Sequence, residues 1–457
     1  MAEHNVTVER TLEMLLSEKK YATIRDILST MNPADIAYVF DELEQERLPL
    51  LFRLLPKELA AEAFVEMEPE AQELLIRGFS DSELREVLDE LYVDDAVDIV
   101  EEMPANVVRR ILSQADPQMR KEINEILRYP ENSAGSIMTT EYVSLRPSMT
   151  VDESILRIRR TGVDKETIYT CYVTKNRTLV GLVTVKDLLL ADNDETTVEE
   201  IMETNVISVN THTDQEEVAR MFSKYDFLAL PVVDNENRMV GIVTFDDAMD
   251  VMEDEVTEDM ELMSGVLPTE KPYLRSGVFE LFLHRIPWLL LLMVSATFTG
   301  LIITGFESAL SAQVVLTAFI PMLMGTGGNS GSQSSVTVIR ALSLGEVDLG
   351  DLWRIVWKEI RTAVLCGIAL SVACFAKLIF IDGMLFGNSA VDVDVALVVS
   401  VTMALTVLAA KVIGCTLPLL AKKLNFDPAV MASPFITTIV DAMSLLVYFG
   451  IANLLLL

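Results

Sequence analysis

The chain has 457 residues, is 51% hydrophobic with a mean hydropathy of +0.34, and still carries a net charge of −33. One soluble fold rarely joins such apolarity to such charge, so the composition excludes a uniform domain and predicts an acidic soluble part beside a membrane part. The first 275 residues hold 58 acidic and 27 basic side chains, a field that argues against nucleic acid and suits cations, although a solvated acidic surface is its plainer use.

The opening MAEHNVTVER is polar and acidic, so no cleavable signal peptide is expected. From about 5 to 130 the pattern is one of short helices. Pro33, Pro56, Pro69, Asp81, Asp94, Pro104 and Pro117 recur mostly 11–13 residues apart beyond the first, and each opens or follows an apolar-periodic run. Proline and aspartate start helices, so the spacing predicts a small superhelical stack of helix pairs.

From about 131 the texture becomes α/β, and it is duplicated. Ile137-Met138-Thr139 returns as Ile201-Met202-Glu203, and Val180-Gly181-Leu182-Val183-Thr184 returns as Val240-Gly241-Ile242-Val243-Thr244. With the strand at Leu230 to Asp234, the two copies, 131–199 and 200–262, resemble a tandem pair of CBS domains. The resemblance implies a sensory or dimerising module that often binds an adenine nucleotide such as ATP. Thr184, Asp187, Thr244 and Asp247 stand at the positions that often hold a ribose or phosphate there.

Asp246 to Glu261 is the densest acidic run and is helical in pattern. Asp247, Asp250, Asp254 and Glu258 fall near one face, where a hard divalent cation would find its oxygens; a solvated linker helix is the plainer reading. Residues 263–285 are expected to connect the two halves, with an amphipathic juxtamembrane helix over 272–285 that has Tyr273, Leu274, Val278, Leu281 and Phe282 on its apolar face.

Residues 286–457 are predicted to be an all-α membrane domain of five spans: about 286–305, 312–338, 355–380, 393–421 and 428–455. Arg285, Arg340, Arg354, Lys358, Arg361, Lys422 and Lys423 mark one side, and Glu307, Asp382, Asp392 and Asp394 the other. The basic side is cytoplasmic, so the soluble half lies inside the cell and the C-terminus outside.

Two stretches of the membrane part carry chemistry. Pro321 to Arg340 is rich in glycine, serine and threonine, which predicts a poor interior for a continuous helix. Freed carbonyls, such as that of Gly328, and the amides of Asn329 and Gln333 could then line an ion path; close packing of two helices is the alternative. In the fifth span Asp441 is a lone mid-membrane acid, costly there and by default a mark of a pathway; a protonated Asp bonding a neighbouring helix is the other reading. Asp427, at the mouth of that span, could cap the helix or meet an ion. The cysteines Cys171, Cys366, Cys374 and Cys415 and the histidines His4, His212 and His284 show no metal-ligand spacing.

Together these parts resemble one family over essentially the whole chain, the MgtE magnesium channels. The resemblance rests on the order of parts and on Gly327-Gly328-Asn329-Ser330-Gly331-Ser332-Gln333 and Asp427-Pro428-Ala429 with Asp441. It implies a homodimer in the cytoplasmic membrane, with a Mg²⁺ path on its two-fold axis and the permeating ion at Asp441. It also implies juxtamembrane plug helices that close the pore when cytoplasmic acids bind Mg²⁺. The acids that match are Glu216, Asp226, Asp247, Asp250, Glu255, Glu258 and Asp259, with Asp94, Asp95 and Asp98 in the helical domain, among which the ligand stays open. No P-loop or nucleophile constellation is present, so no enzyme is expected. A cation-coupled divalent metal transporter and a nucleotide-sensing membrane regulator are the rival readings.

Overall fold

The structure, a computed structural model, describes residues 2–269, 273, 276–307, 311, 313–386, 390–431 and 433–455. The chain divides into two compact units, Met1–Met252 and Glu253–Leu457.

The first unit opens with α1 (Ala2–Ser17), α2 (Tyr21–Leu28), α3 (Pro33–Glu42), α4 (Leu48–Phe52), α5 (Lys57–Val65), α6 (Pro69–Gly78), α7 (Asp81–Leu88), α8 (Val93–Glu102), α9 (Ala105–Gln114) and α10 (Pro117–Ile126). Pro33, Pro69 and Pro117 take the first helical position, where a missing N–H is harmless. Asn32 and Asp116 cap their helices through side-chain oxygens, and Ser80 with Glu83 forms a reciprocal capping box. Alternate helices stack, α1 on α3, α3 on α5, α5 on α7 and α7 on α9, which is the wound arrangement expected from the spacing. Their apolar stripes, with Phe40, Phe64 and Leu88 among them, form one core that runs on into the α/β part through Met138, Phe222 and Leu230.

The α/β part repeats one pattern. The first copy has β1 (Tyr142–Leu145), α11 (Val151–Thr161), β2 (Thr167–Lys175), β3 (Thr178–Thr184), α12 (Val185–Leu189) and α13 (Val198–Ile201). The second has β4 (Val209–Asn210), α14 (Gln215–Tyr225), β5 (Ala229–Val233), β6 (Met239–Thr244) and α15 (Phe245–Met263). In each sheet the first strand pairs parallel with the second, and the second antiparallel with the third. The copies exchange their openings: Thr139 bridges Ile242 of β6, and Glu203 bridges Leu182 of β3. That exchange explains the repeated glycine. A Cβ at Gly241 would stand 2.6 Å from the Thr139 carbonyl oxygen, and one at Gly181 would stand 2.7 Å from Met202 Sδ.

The second unit takes in the last turns of α15 and the apolar helices. These are α16 (Val278–Gly305), α17 (Ile320–Ser343), α18 (Leu352–Ala376), α19 (Val393–Lys423) and α20 (Ser433–Leu455). α19 is the central element, packed against α17, α18 and α20; α17 also packs on α20, and α20 on α16. The stretches Val278–Gly305, Leu349–Leu385, Val393–Lys423 and Pro428–Leu455 are long and apolar enough to cross a membrane. α17, with 24 residues, is about 36 Å long at 1.5 Å per residue, but its small polar residues lower its hydropathy.

One expectation is corrected here. The second span is not broken, since α17 is one continuous helix through all four of its glycines. The reason is packing: a Cβ on Gly327 would meet Thr406, Ser444 and Val440, and one on Gly328 would meet Thr437. At Gly414 of α19 a Cβ would stand 2.2 Å from the Gly331 carbonyl oxygen. Gly327, Gly328 and Gly331 let α17 sit against α19 and α20, and that contact holds a helix that glycine propensity alone would weaken. The juxtamembrane helix, among the described residues, starts at Val278 and is continuous with the first span. Residues 270–272 and 274–275 lie outside the described residues.

Candidate functional site

Within the membrane domain the geometry centres on the seam between α17 and α20. Thr437, Val440 and Ser444 of α20 touch Gly327 and Gly328, and Asp441 shares their helical face at three- and four-residue spacing. Asp441 is half-buried, and its Oδ1 is buried with no hydrogen-bond partner. A neighbouring helix therefore does not satisfy that oxygen, contrary to the reading of a structurally bonded acid. On α17, Asn329, Gln333, Val336, Thr337 and Arg340 form an exposed and mainly polar stripe that continues from the exposed Gly325 and lies away from the buried Gly327 and Gly331. Asn329 thus remains available as an amide ligand. Gly328 does not offer a freed carbonyl, because it lies inside the helix and is buried against Thr437. Asp427 acts as a cap: its Oδ1 accepts from the Ala429 N–H at 2.7 Å and starts the turn Pro428–Met431.

One group in this domain was not singled out from the sequence. Lys411 of α19 is 5% exposed, with Nζ 3.2 Å from Ser334 Oγ of α17 and 3.8 Å from Glu359 Oε2 of α18. The Ser334 hydroxyl donates to the same Glu359 oxygen at 2.6 Å. Three helices are thus tied by a buried ion pair beside the Gly331–Gly414 crossing.

In the first unit the acids of α8 meet the first turn of α15. Burial, then Asp247, raises Asp94 well above the usual carboxylate range. Asp95 and Asp98 are pushed to about 7, again by desolvation and then by Asp247. Asp247 itself is raised to about 6 by burial, against the opposing hydrogen bond from Thr244 Oγ1 at 2.5 Å. Two acids that the sequence reading missed complete the group. Glu166 is raised to about 8 by burial and then Asp95, and Glu141 Oε2 accepts the Val93 N–H at 3.1 Å, at the N-terminus of α8. The Asp94 Oδ1 and Glu166 Oε2 atoms are buried without hydrogen-bond partners. Among the described residues no three acidic, histidine or cysteine side chains form a ready-made metal shell. The donors suit a small hard cation that keeps its waters.

The other acids are placed separately. Glu216 pairs with Arg220 on α14. Asp226 ends that helix in a left-handed conformation, φ 55°, and borders a cleft with Met249 and Met252 of α15. Asp250, Glu255 and Glu258 lie along α15, and Asp259 Oδ2 accepts from Ser343 Oγ at 3.0 Å, at the end of α17. Thr184 and Asp187 form a capping box on α12, and Thr244 with Asp247 repeats the Thr–Asp contact at the start of α15. The repeated Thr-x-x-Asp is therefore first a helix cap.

Comparison with known proteins follows the same division. Residues 31–132 match the MgtE intracellular N domain, 134–194 and 198–254 match CBS domains, and 320–451 match MgtE, a divalent cation transporter. The chain is 39% identical over 451 residues to a magnesium transporter MgtE of Thermus thermophilus, covering 98% of each, and 33% identical over 445 residues to one of Bacillus subtilis, covering 96% and 95%. The solved cytosolic domain of the Mg²⁺ channel MgtE in complex with ATP is 41% identical with TM-score 0.51, over 53% of this chain and 99% of that one. The soluble part of a magnesium transporter is 30% identical with TM-score 0.51, over 56% and 99%. The chain belongs to the MgtE family, whose members are transporters and not enzymes.

Proposed function

We propose that the protein is a Mg²⁺-selective channel of the cytoplasmic membrane that lets magnesium enter downhill and closes when intracellular Mg²⁺ binds its soluble acids. The observation that carries the pore is Asp441, whose unpartnered carboxylate oxygen lies inside an apolar helix at the level of the α17 glycines. Two copies paired along the seam of α17 and α20 would bring two such carboxylates to one axis. Mg²⁺ held there through its water shell can still leave. Two charges moving inward gain about 4.6 kcal/mol per 100 mV, so no energy source is needed. The soluble half lies in the cytoplasm, and the C-terminus outside.

The gate rests on Asp94, Asp95, Asp98, Asp247, Glu141 and Glu166, with Glu216, Asp226 and the acids of α15 as further ligands. These groups repel one another when ionised, and a divalent cation reverses that repulsion. ATP, with which a solved relative is in complex, is the nucleotide we assign to Thr184, Asp187 and Thr244. The test is Mg²⁺ flux into proteoliposomes without Na⁺ or proton gradients. Asp441→Asn is expected to fold and dimerise but lose most flux. Undiminished flux in that variant removes Asp441 from the path, and flux that stops when the gradients are removed favours a coupled transporter.

A further inference from the structure

The first unit has a cavity of about 390 Å³ between α10 and the outer edge of β1, with α11 and the β2–β3 turn closing its sides. That is the size range of small-molecule sites. Its chemistry runs against the rest of the unit. Lys121, Arg157, Lys165 and Arg177 all line it. Elsewhere bases find acids readily, as in Arg53–Glu83, Lys57–Glu86, Arg77–Glu73 and Arg220–Glu216. Among the described residues, none of the four cavity bases is within ion-pair distance of a carboxylate, although 58 acids and 27 bases share this part of the chain. Glu122 and Glu125 lie on the same rim, which leaves two positive charges in excess. Four unpaired cations around one hollow make a local positive focus in a negative field.

The placement of Arg177 is fixed by backbone. Asn176 and Arg177 have φ of 54° and 70°, so the β2–β3 loop carries a large side chain in the left-handed region that favours glycine. The turn is held from the second copy: the Met239 N–H donates to the Arg177 carbonyl at 2.9 Å, and the Leu179 N–H to that of Asn237 at 3.2 Å. The floor is apolar, with Ile126, Met138, Val143 and Met239, and Tyr129 and Tyr142 stand at it. Burial raises the Tyr142 phenol and the charge of Arg177 opposes that rise, so guanidinium and ring share one environment. Thr140 Oγ1, also in the lining, is buried with no partner.

We propose that this cavity binds a phosphorylated aromatic metabolite of mononucleotide size, its phosphate on Arg157, Lys165 and Arg177 and its ring on the apolar floor. Planar guanidinium groups bind phosphate oxygens two at a time, and tyrosine offers a stacking face. The site is separate from Thr184, Asp187 and Thr244, none of which lines the cavity. An occupant would clamp the last helix of the helical domain to the α/β pair.

The test is photolabelling of the full chain, in detergent and without magnesium, by 8-azido-AMP, followed by peptide mapping. Label is expected on the peptides carrying Tyr129 or Tyr142. It should saturate, compete with AMP, and shift at least tenfold to higher concentration in Arg157→Gln/Lys165→Gln/Arg177→Gln. All three positions are at the surface or partly so, and circular dichroism of the variant should match the parent. A single change, Lys165→Gln, should give a smaller shift in the same direction. Label found only near Thr184 to Asp187, or label on the tyrosine peptides that the triple variant leaves unchanged, overturns the proposal.

Discussion

At the scale of single residues, the same amino acid does different work according to its neighbours. Asp427 and Asp441 are both acids of the last membrane segment, yet Asp427 spends its Oδ1 on the Ala429 N–H while the Oδ1 of Asp441 has no partner. Among the described residues Asn329 makes no side-chain hydrogen bond, and it stands exposed on α17. Asn329→Ala should therefore change thermal stability by less than about 0.5 kcal/mol, as surface changes do, while altering Mg²⁺ conductance or selectivity in proteoliposomes. A variant that loses stability and keeps its flux assigns Asn329 to packing. The helix starts were legible at this scale, because proline and capping side chains act locally: helices begin within one residue of Pro33, Pro69, Asp81 and Pro117. Glu141 and Glu166 were not legible, because what marks them is proximity to α8 and α15, which no local pattern records.

At the scale of elements, the lesson comes from α17. Glycine's freedom is visible in a sequence, but the helix that will press on it is not, and the contact of Gly331 with Gly414 decides the outcome. Gly414→Ala places a methyl 2.2 Å from the Gly331 carbonyl oxygen, so the α17–α19 contact must open. Overpacking of this kind costs about 1–3 kcal/mol, measurable as a lower melting temperature in detergent. The adjoining Lys411, Ser334 and Glu359 set a second test. Lys411→Met leaves Glu359 buried without its cation, which should cost about 3–5 kcal/mol, whereas Lys411→Met/Glu359→Leu should recover much of that loss. Equal losses in the single and double variants would mean that the pair is not coupled. The duplicated α/β copies were readable from their repeats, but the exchange of openings was not, because Thr139 and Ile242 meet only once both copies are folded.

At the scale of the whole molecule, charge and protons compete for the same carboxylates. An unfolded Asp or Glu titrates near 4, while in the folded chain Asp247 is raised to about 6, Asp95 and Asp98 to about 7 and Glu166 to about 8. The folded state therefore holds protons more tightly than the unfolded one between about pH 4 and pH 8. Stability from this cluster is fully present below the unfolded values, falls as pH rises through that window, and is lost above about 8. Without divalent cations, proteolysis of the soluble half should accelerate from pH 6 to pH 8. Mg²⁺ binds the ionised carboxylates, so it should suppress that acceleration, protect at lower concentration at pH 8 than at pH 6, and release protons as it binds. Replacing Asp95, Asp98 and Asp247 together by Asn should flatten the pH dependence and remove most of the protection by Mg²⁺. The same variant should keep flux high at intracellular Mg²⁺ concentrations that close the parent. If the triple variant still closes with the parent's Mg²⁺ dependence, the cluster is a packing feature of α8 and α15, and gating lies with Asp226 and the later acids of α15.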